Sequence, residues 1–346
     1  MTARRLNTVQ EYYFSKKLRE IAIMIAEGKS VINMGIGSPD LPAHPDVVKA
    51  LKESFSNPKV HQYQSYQGIP ELRIAIAKFY LKHYQVAANP NSEILPLLGS
   101  KEGIMHISMA FLNPGDKVLI PNPGYPTYLS VTRLLQATPV FYDLSPKNDW
   151  QPDLEALNQM DLNGVKLMWV NYPNMPTGAD AQPETFSKLI DWVRDRKILL
   201  VNDNPYSFIL TDRPQSMLSV PGAMEVGMEL NSLSKSFNMA GWRVGMVLGN
   251  KENIKALLKV KSNMDSGMFL GIQKGAIAAL DINEIWFEQL NDTYAKRRKL
   301  MFKLAALLNT EFDLCSSGLF VWAKLKDKSK SSVETIEEIL EKAESG

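Results

Sequence analysis

Short apolar runs alternate with amphipathic runs through the middle of this chain, from about residue 90 onward. The apolar runs are rich in β-branched residues, as strands are, and the runs between them space their apolar residues as helices do. Strands that alternate with helices favour an α/β fold, a largely parallel sheet with helices on both faces. The predicted strands are 116–121, 138–144, 165–173 and 197–206, and the predicted helices include 128–137 and 184–196.

The length of 346 residues predicts a large domain together with a smaller one. The amphipathic run 285–308 predicts one long helix, a bridge to the second domain. One predicted strand, 318–325, and one predicted helix, 333–343, follow it. The predicted domains are a large one, residues 45–282, and a small one built from residues 1–44 and 283–346.

Charge and cysteine content limit the expected partners and the compartment. The net charge is +2 without a long block of like charge, which argues against nucleic acid and anionic membranes as partners. No run approaches the ~18 apolar residues of a membrane span, and the first residues lack the apolar core of a signal peptide. The single cysteine, Cys315, excludes an internal disulfide and fits a reducing compartment. We expect a soluble, cytoplasmic protein.

Polar side chains follow the predicted strands, at the edge of the sheet where ligands bind. Asp203 ends one strand, Tyr206 follows three residues later, and Asn171 ends the preceding strand. Ser100 stands at a loop-to-helix junction, where free backbone N–H groups favour a phosphate. Taken alone, Asp203 and Asn171 are equally typical of turns.

The segment "SLSKSFNMAGWRVG", residues 232–245, adds an amine and a guanidinium to this set. Lys235 alone is more often a surface lysine, but together with Asp203 it supplies what pyridoxal phosphate needs: an amine for the aldehyde and an acid for the ring nitrogen. Arg243 offers a fork of donors that matches a phosphate.

These motifs, in this order, resemble those of the fold-type I, class I/II aminotransferases, from about residue 7 to 343. The similarity is greatest to the branch of alanine, aspartate and diaminopimelate aminotransferases. The resemblance implies a mostly parallel seven-stranded sheet with helices on both faces, a smaller α+β domain, and pyridoxal 5'-phosphate as the cofactor.

The resemblance also implies the catalytic residues. Lys235 matches the lysine that forms the Schiff base and carries the proton. Asp203 and Tyr206, in "NDNPY", match the residues on the ring nitrogen and the ring hydroxyl. Phosphate-binding positions of the family fall on Ser100, Lys101, Ser232, Ser234 and Arg243.

Four further positions complete the candidate site. Asn171, at its strand end, is a candidate for binding the cofactor. The resemblance implies the other three: Tyr125, in "NPGYPTY", matches the aromatic residue that stacks on the cofactor ring. Gly37, in "GIGSPDLP", lies near the substrate carboxylate. Tyr63 matches a tyrosine that reaches the phosphate of the partner subunit, which implies a homodimer with shared active sites.

Two positions depart from the family pattern. Met175, in "NYPNMPTG", stands where the family has an asparagine that donates to the ring hydroxyl, and methionine has no donor. The family also carries an arginine for the substrate carboxylate in a later strand, whereas no arginine follows Arg298 here. We therefore expect the C-terminal part of the small domain to be incomplete.

The implied activity is transfer of an amino group from an L-amino acid of the aspartate or alanine type to a 2-oxo acid such as 2-oxoglutarate. A pyridoxal-phosphate-dependent lyase or decarboxylase, a ligand-binding regulator and a cofactor-binding remnant remain alternatives. Four scattered histidines and one cysteine provide no metal-ligand spacing, so no metal is expected.

Overall fold

The computed structural model describes residues 2–34, 37–211 and 213–342. Its helices are α1 Tyr13–Ala26, α2 Pro45–Ser54, α3 Pro70–Tyr84, α4 Ser100–Phe111, α5 Pro126–Leu134, α6 Leu154–Asn158, α7 Thr185–Arg196, α8 Ala223–Val226, α9 Leu233–Ser236, α10 Lys251–Lys261, α11 Leu270–Leu280, α12 Glu284–Leu307 and α13 Ser332–Lys342. Its strands are β1 Ile94–Leu97, β2 Lys117–Asn122, β3 Thr138–Asp143, β4 Val165–Val170, β5 Leu199–Asp203, β6 Gly227–Ser232, β7 Gly245–Gly249, β8 Thr310–Phe312 and β9 Ala323–Leu325.

A seven-stranded sheet forms the centre of the molecule, in the order β1-β7-β6-β5-β4-β2-β3. The pairs β2–β3, β2–β4, β4–β5 and β5–β6 are parallel. Strand β7 runs antiparallel to both of its neighbours, β1 and β6. The prediction of a mostly parallel sheet is therefore confirmed, and the carboxyl ends of β4, β5 and β6 lie side by side.

Apolar side chains cover both faces of this sheet. Successive residues of β4 alternate between two buried clusters: Leu167 and Trp169 belong to one, Met168 and Val170 to the other. Such alternation is what a strand buried on both faces requires. Helices α4, α5 and α10 contribute to the first cluster, and α3, α7 and α11 to the second. This arrangement confirms the helical layers predicted from the sequence.

The C-terminal part contains α12, the two-stranded sheet of β8 and β9, and α13. The predicted helices 285–308 and 333–343 are found within one residue, although residue 343 lies outside the described residues. The predicted strand 318–325 is wrong in its first five residues. There the backbone bonds to loops of the larger sheet instead of a neighbouring strand: the N–H of Ser317 donates to Gly178 and that of Gly318 to Ile209.

The division into domains at residues 44/45 and 282/283 stays a prediction. Across the described ranges, no helix is both long enough and apolar enough to cross a membrane.

Candidate active site

A cavity of about 680 Å³ opens at the carboxyl edge of the sheet. Asn171 directly follows β4, Asp203 ends β5 and Ser232 ends β6, so the strand order alone brings these three side chains to one wall. Eleven residues singled out in the sequence line this cavity: Gly37, Ser100, Lys101, Tyr125, Asn171, Asp203, Tyr206, Ser232, Ser234, Lys235 and Arg243.

Asp203 is a buried carboxylate with one oxygen unused. The hydroxyl of Tyr128 donates to Oδ2 at 2.9 Å, whereas buried Oδ1 has no hydrogen-bond partner among the described residues. Burial raises the pKa of Asp203 to about 7; the Tyr128 hydrogen bond opposes this rise and the charge of Glu229 adds to it. A buried acceptor without a donor is costly, so Oδ1 is suited to a cationic N–H group of a ligand.

Lys235 belongs to the short helix α9, which follows β6 directly. Its Nζ donates to the backbone oxygen of Gly37 at 2.6 Å, which brings the segment around residue 37 against the sheet edge. Gly35 and Ile36 of that segment lie outside the described residues. Burial, and then the charge of Arg243, lower the pKa of Lys235 to about 8. Such an amine is neutral in part near neutral pH and can act as a nucleophile and a base.

Hydroxyl, guanidinium and backbone donors meet at the other end of the cavity. Ser232 and Ser234 share a hydrogen bond of 2.8 Å between their hydroxyls. Arg243 donates from Nη1 to Ser234 Oγ at 3.4 Å and to the backbone oxygen of Ala240 at 2.8 Å. Helix α4 begins at Ser100, so its first N–H groups are available to an anion. This end of the cavity suits a phosphate.

Lys101 lies beside this end of the cavity. Its Nζ is 4.4 Å from the ring centroid of Tyr12. Burial, together with the charge of Arg243, lowers the pKa of Lys101.

The aromatic walls come from Tyr125, Tyr206 and Phe320. Tyr206 meets Phe320 edge to face, with ring centroids 5.7 Å apart. Burial raises the pKa of Tyr206, so its hydroxyl keeps its proton and can donate. Tyr125 precedes α5, and burial raises its pKa as well.

Asn171 uses its side chain within the protein. Its Nδ2 donates to the backbone oxygen of Asp203 at 2.6 Å, and its Oδ1 accepts from the N–H of Met175 at 2.7 Å. The side chain of Asn171 thus ties the end of β4 to the end of β5. Met175, the position that departs from the family pattern, also lines the cavity.

Tyr63 does not line this cavity, and 90% of its surface is exposed. Its expected role depends on a second subunit, and it stays a prediction.

Sequence reasoning missed the residues that form the outer walls: Tyr12, Phe14, Ser15, Leu18, Arg19 and Phe320. The first five lie in or next to α1, whose apolar spacing resembles that of any surface helix, so no local signal marks them as part of a site. Tyr128, which holds Asp203, was also missed, although it stands three residues after Tyr125 in the quoted motif.

A separate polar cluster lies beside α4. Glu102, His106 and Asp265 each offer one ligand atom, and these atoms lie within 4.8 Å of one another. The ammonium group of buried Lys261 contacts the carboxylate of Asp265 and supplies positive charge there.

The residues present fit pyridoxal phosphate. The unpartnered Oδ1 of Asp203 suits a protonated ring nitrogen, Lys235 offers an amine within the same cavity, and the hydroxyl and guanidinium donors suit the phosphate.

Comparisons with known proteins agree with this geometry. The family model for class I and II aminotransferases matches residues 29–344. The LL-diaminopimelate aminotransferase of Aquifex aeolicus is 38% identical over 341 residues, which cover 98% of this chain and 88% of that protein. The apo structure of BacF from Bacillus subtilis superposes with a TM-score of 0.94 at 35% identity, covering 99% of this chain and 88% of that one. A single mutant of the Thermus thermophilus aspartate aminotransferase gives 0.91 at 25% identity, with 99% and 89% covered.

The family model and the relatives match nearly the whole chain, and the sheet and the cavity agree with them, so both the family and its cofactor are established. The chain belongs to the class I and II aminotransferases, transaminases of fold type I that depend on pyridoxal phosphate.

Proposed function

We propose that this transaminase moves an amino group from LL-diaminopimelate to a 2-oxo acid such as 2-oxoglutarate. Relatives at 38% identity that carry the name LL-diaminopimelate aminotransferase support this donor over aspartate or alanine. The observation that carries the site assignment is the shared cavity of Lys235, with its lowered pKa, and Asp203, with its unpartnered oxygen.

Pyridoxal phosphate, when bound, supplies an aldehyde that takes up the amino group and a ring that accepts electron density. We assign Asp203 to the ring nitrogen, because a buried carboxylate favours the protonated form of that nitrogen. We assign Tyr206 to the ring hydroxyl, because its phenol keeps its proton. The thioether of Met175 cannot donate there, which leaves Tyr206 as the principal side-chain donor.

Lys235 is assigned to the proton transfer. Its amine takes the proton from Cα of the amino donor and, in the half-reaction with the 2-oxo acid, delivers a proton to Cα of the new amino acid. A pKa of about 8 suits both directions, since neither protonation state is rare near neutral pH.

The phosphate is assigned to the hydroxyls of Ser232 and Ser234, to Arg243, and to the backbone of Ser100 and Lys101. Arg243 matches a phosphate as a fork of two donors, and the N-terminus of α4 adds N–H groups.

The remaining assignments concern the ring face and the substrate. Tyr125 is assigned to stacking on the ring, and Gly37 to the substrate carboxylate. Asn171 contributes by positioning Asp203 through its backbone oxygen. We also propose a homodimer in which Tyr63 reaches the partner's phosphate, and a cytoplasmic location, which a single cysteine fits.

The site assignment is tested with Lys235→Ala. We expect it to lose the visible absorbance of covalently bound pyridoxal phosphate and to lose transaminase activity by several orders of magnitude. Lys251→Ala, at an exposed position at the start of α10, is the matched control and keeps both. Absorbance that persists in Lys235→Ala refutes the assignment.

The donor is tested by supplying LL-diaminopimelate, aspartate and alanine one at a time, with and without 2-oxoglutarate. We expect LL-diaminopimelate to give the highest kcat/KM and its reaction to stop after one turnover without the 2-oxo acid. Turnover that continues without a 2-oxo acid would instead identify a lyase.

A further inference from the structure

Arg19, which lines the cavity, forms an ion pair with Glu11 on the segment just before α1. Arg19, on α1, lines the cavity, and its Nη1 and Nη2 donate to Oε1 and Oε2 of Glu11 at 2.5 and 2.7 Å. Ser15, which also lines the cavity, donates from Oγ to Oε1 of Glu11 at 3.1 Å. Glu11 does not itself line the cavity, but its bonds to two lining residues place one negative group directly beside the positive group of Arg19.

This pair can open at small cost. The side chain of Arg19 is 60% exposed and that of Glu11 is 53% exposed, so water solvates each group when they separate. Ion pairs at such positions contribute little to stability. Each group can therefore exchange its present partner for an opposite charge on a ligand.

The other charged residues that line the cavity are assigned to the cofactor and the proton transfer. Among the described lining residues, the other cations are Lys101, Lys235 and Arg243, and the acid is Asp203. Under the proposed function, Arg243 and the backbone around Lys101 bind the phosphate, Lys235 carries the proton, and Asp203 pairs with the ring nitrogen. Arg19 is the cation that remains for the outer part of a substrate.

Apolar side chains also line this cavity. They include Phe14 and Leu18, from the same segment as Arg19, and Phe320. A ligand that meets both this wall and the Glu11–Arg19 pair needs an aliphatic middle and a charged far end. This requirement excludes alanine as a full match and favours a long donor with two charged ends.

We propose that Glu11 and Arg19 bind the distal end of the amino donor, a second α-ammonium and carboxylate pair. The fork of Arg19 binds the distal carboxylate and Glu11 binds the distal ammonium, so that each charge of the protein pair exchanges for its equivalent on the substrate. The inference rests on the proposed function, because LL-diaminopimelate carries such a group at its far end, beyond three methylenes.

Four amino donors, which differ in their distal charged groups, distinguish recognition of the ammonium from recognition of the carboxylate. Norleucine has neither, lysine has the ammonium, 2-aminopimelate has the carboxylate, and LL-diaminopimelate has both. Each donor is assayed with 2-oxoglutarate, and kcat/KM is expressed relative to norleucine for the same variant. This ratio cancels any change in cofactor loading or in the common chemistry.

For Arg19→Gln we expect the ratios for 2-aminopimelate and LL-diaminopimelate to fall about fivefold, while the ratio for lysine does not fall. For Glu11→Gln we expect the ratios for lysine and LL-diaminopimelate to fall about fivefold, while the ratio for 2-aminopimelate does not fall. Lys16→Gln and Glu27→Gln remove the same charges in or next to α1, at residues that neither line the cavity nor hydrogen-bond to Glu11 or Arg19 among the described residues. Both controls keep all ratios within twofold.

Equal effects of a variant on all four donors would overturn the inference and leave the proposed function intact. Changes in the control variants as large as those in Arg19→Gln would also overturn it, since net charge would then be the cause. If the wild type transfers amino groups but rejects LL-diaminopimelate, the proposed donor is wrong and the inference fails with it.

Discussion

The buried carboxyl group of Asp203 makes the free energy of unfolding depend on pH, and the substitution Asp203→Asn removes this contribution alone. Burial raises its pKa from an ordinary value of 3.8 to about 7. At about 1.4 kcal/mol for each unit of pH, this difference corresponds to about 4 kcal/mol of unfolding free energy. The folded protein holds this proton more tightly than the unfolded chain does. The contribution is therefore complete below about pH 4 and is lost as the pH rises to about 7.

The assay is urea unfolding of protein freed of cofactor, at intervals from about pH 4 to pH 8, for the wild type and Asp203→Asn. Asparagine does not titrate, so the difference between the two proteins removes the contributions of all other groups. We expect the wild type to lose about 4 kcal/mol more than the variant over this interval. Added pyridoxal phosphate, whose protonated ring nitrogen pairs with the carboxylate, reduces that loss at the alkaline end. Parallel pH profiles for the two proteins would refute both the raised pKa and its cause.

Two further substitutions test the surroundings of this site. Tyr128→Phe removes the hydrogen bond to Asp203 and, since a bond to a charged group contributes about 1.5–3 kcal/mol, moves the midpoint of the same pH profile upward by one to two pH units; an unchanged midpoint contradicts this. Gly99→Ala places a Cβ against the guanidinium of Arg243 at a φ of +92°, and we expect pyridoxal phosphate to bind at least about tenfold more weakly by fluorescence titration. The control is Gly115→Ala, at a φ of +89°, where an added Cβ has nothing within 4 Å; it introduces the backbone strain without a clash with Arg243. Equal affinities of the two variants for pyridoxal phosphate would contradict the role of Arg243.

The inner half of the cavity could be predicted from the sequence because its residues follow strands. Asp203 and Asn171 come directly at strand ends, and a parallel sheet brings such positions together whatever the loops do. Lys235 could be located for the same reason, since α9 follows β6 without an intervening loop.

The outer half could not be predicted, because its residues come from distant parts of the chain. Arg19 and Phe320 meet in one cavity although about 300 residues separate them, and neither lies in a motif. The misassigned strand 318–325 has a related cause. Its residues form a continuous apolar run, as those of a buried strand do. The hydrogen bonds of Gly318 and its neighbour nevertheless go to loops of the larger sheet, which local sequence does not encode.

Helix α1 forms part of the cavity wall, yet Met24 is the one buried residue among its fourteen. The residues assigned to the chemistry stand instead on a buried sheet edge, where most substitutions disturb packing. The exposed helix α1, which we propose to recognise the donor, therefore tolerates substitutions that the buried residues at the sheet edge do not. A lineage can alter which donor it accepts through changes on α1 at little cost to folding, while the machinery at the sheet edge stays as it is.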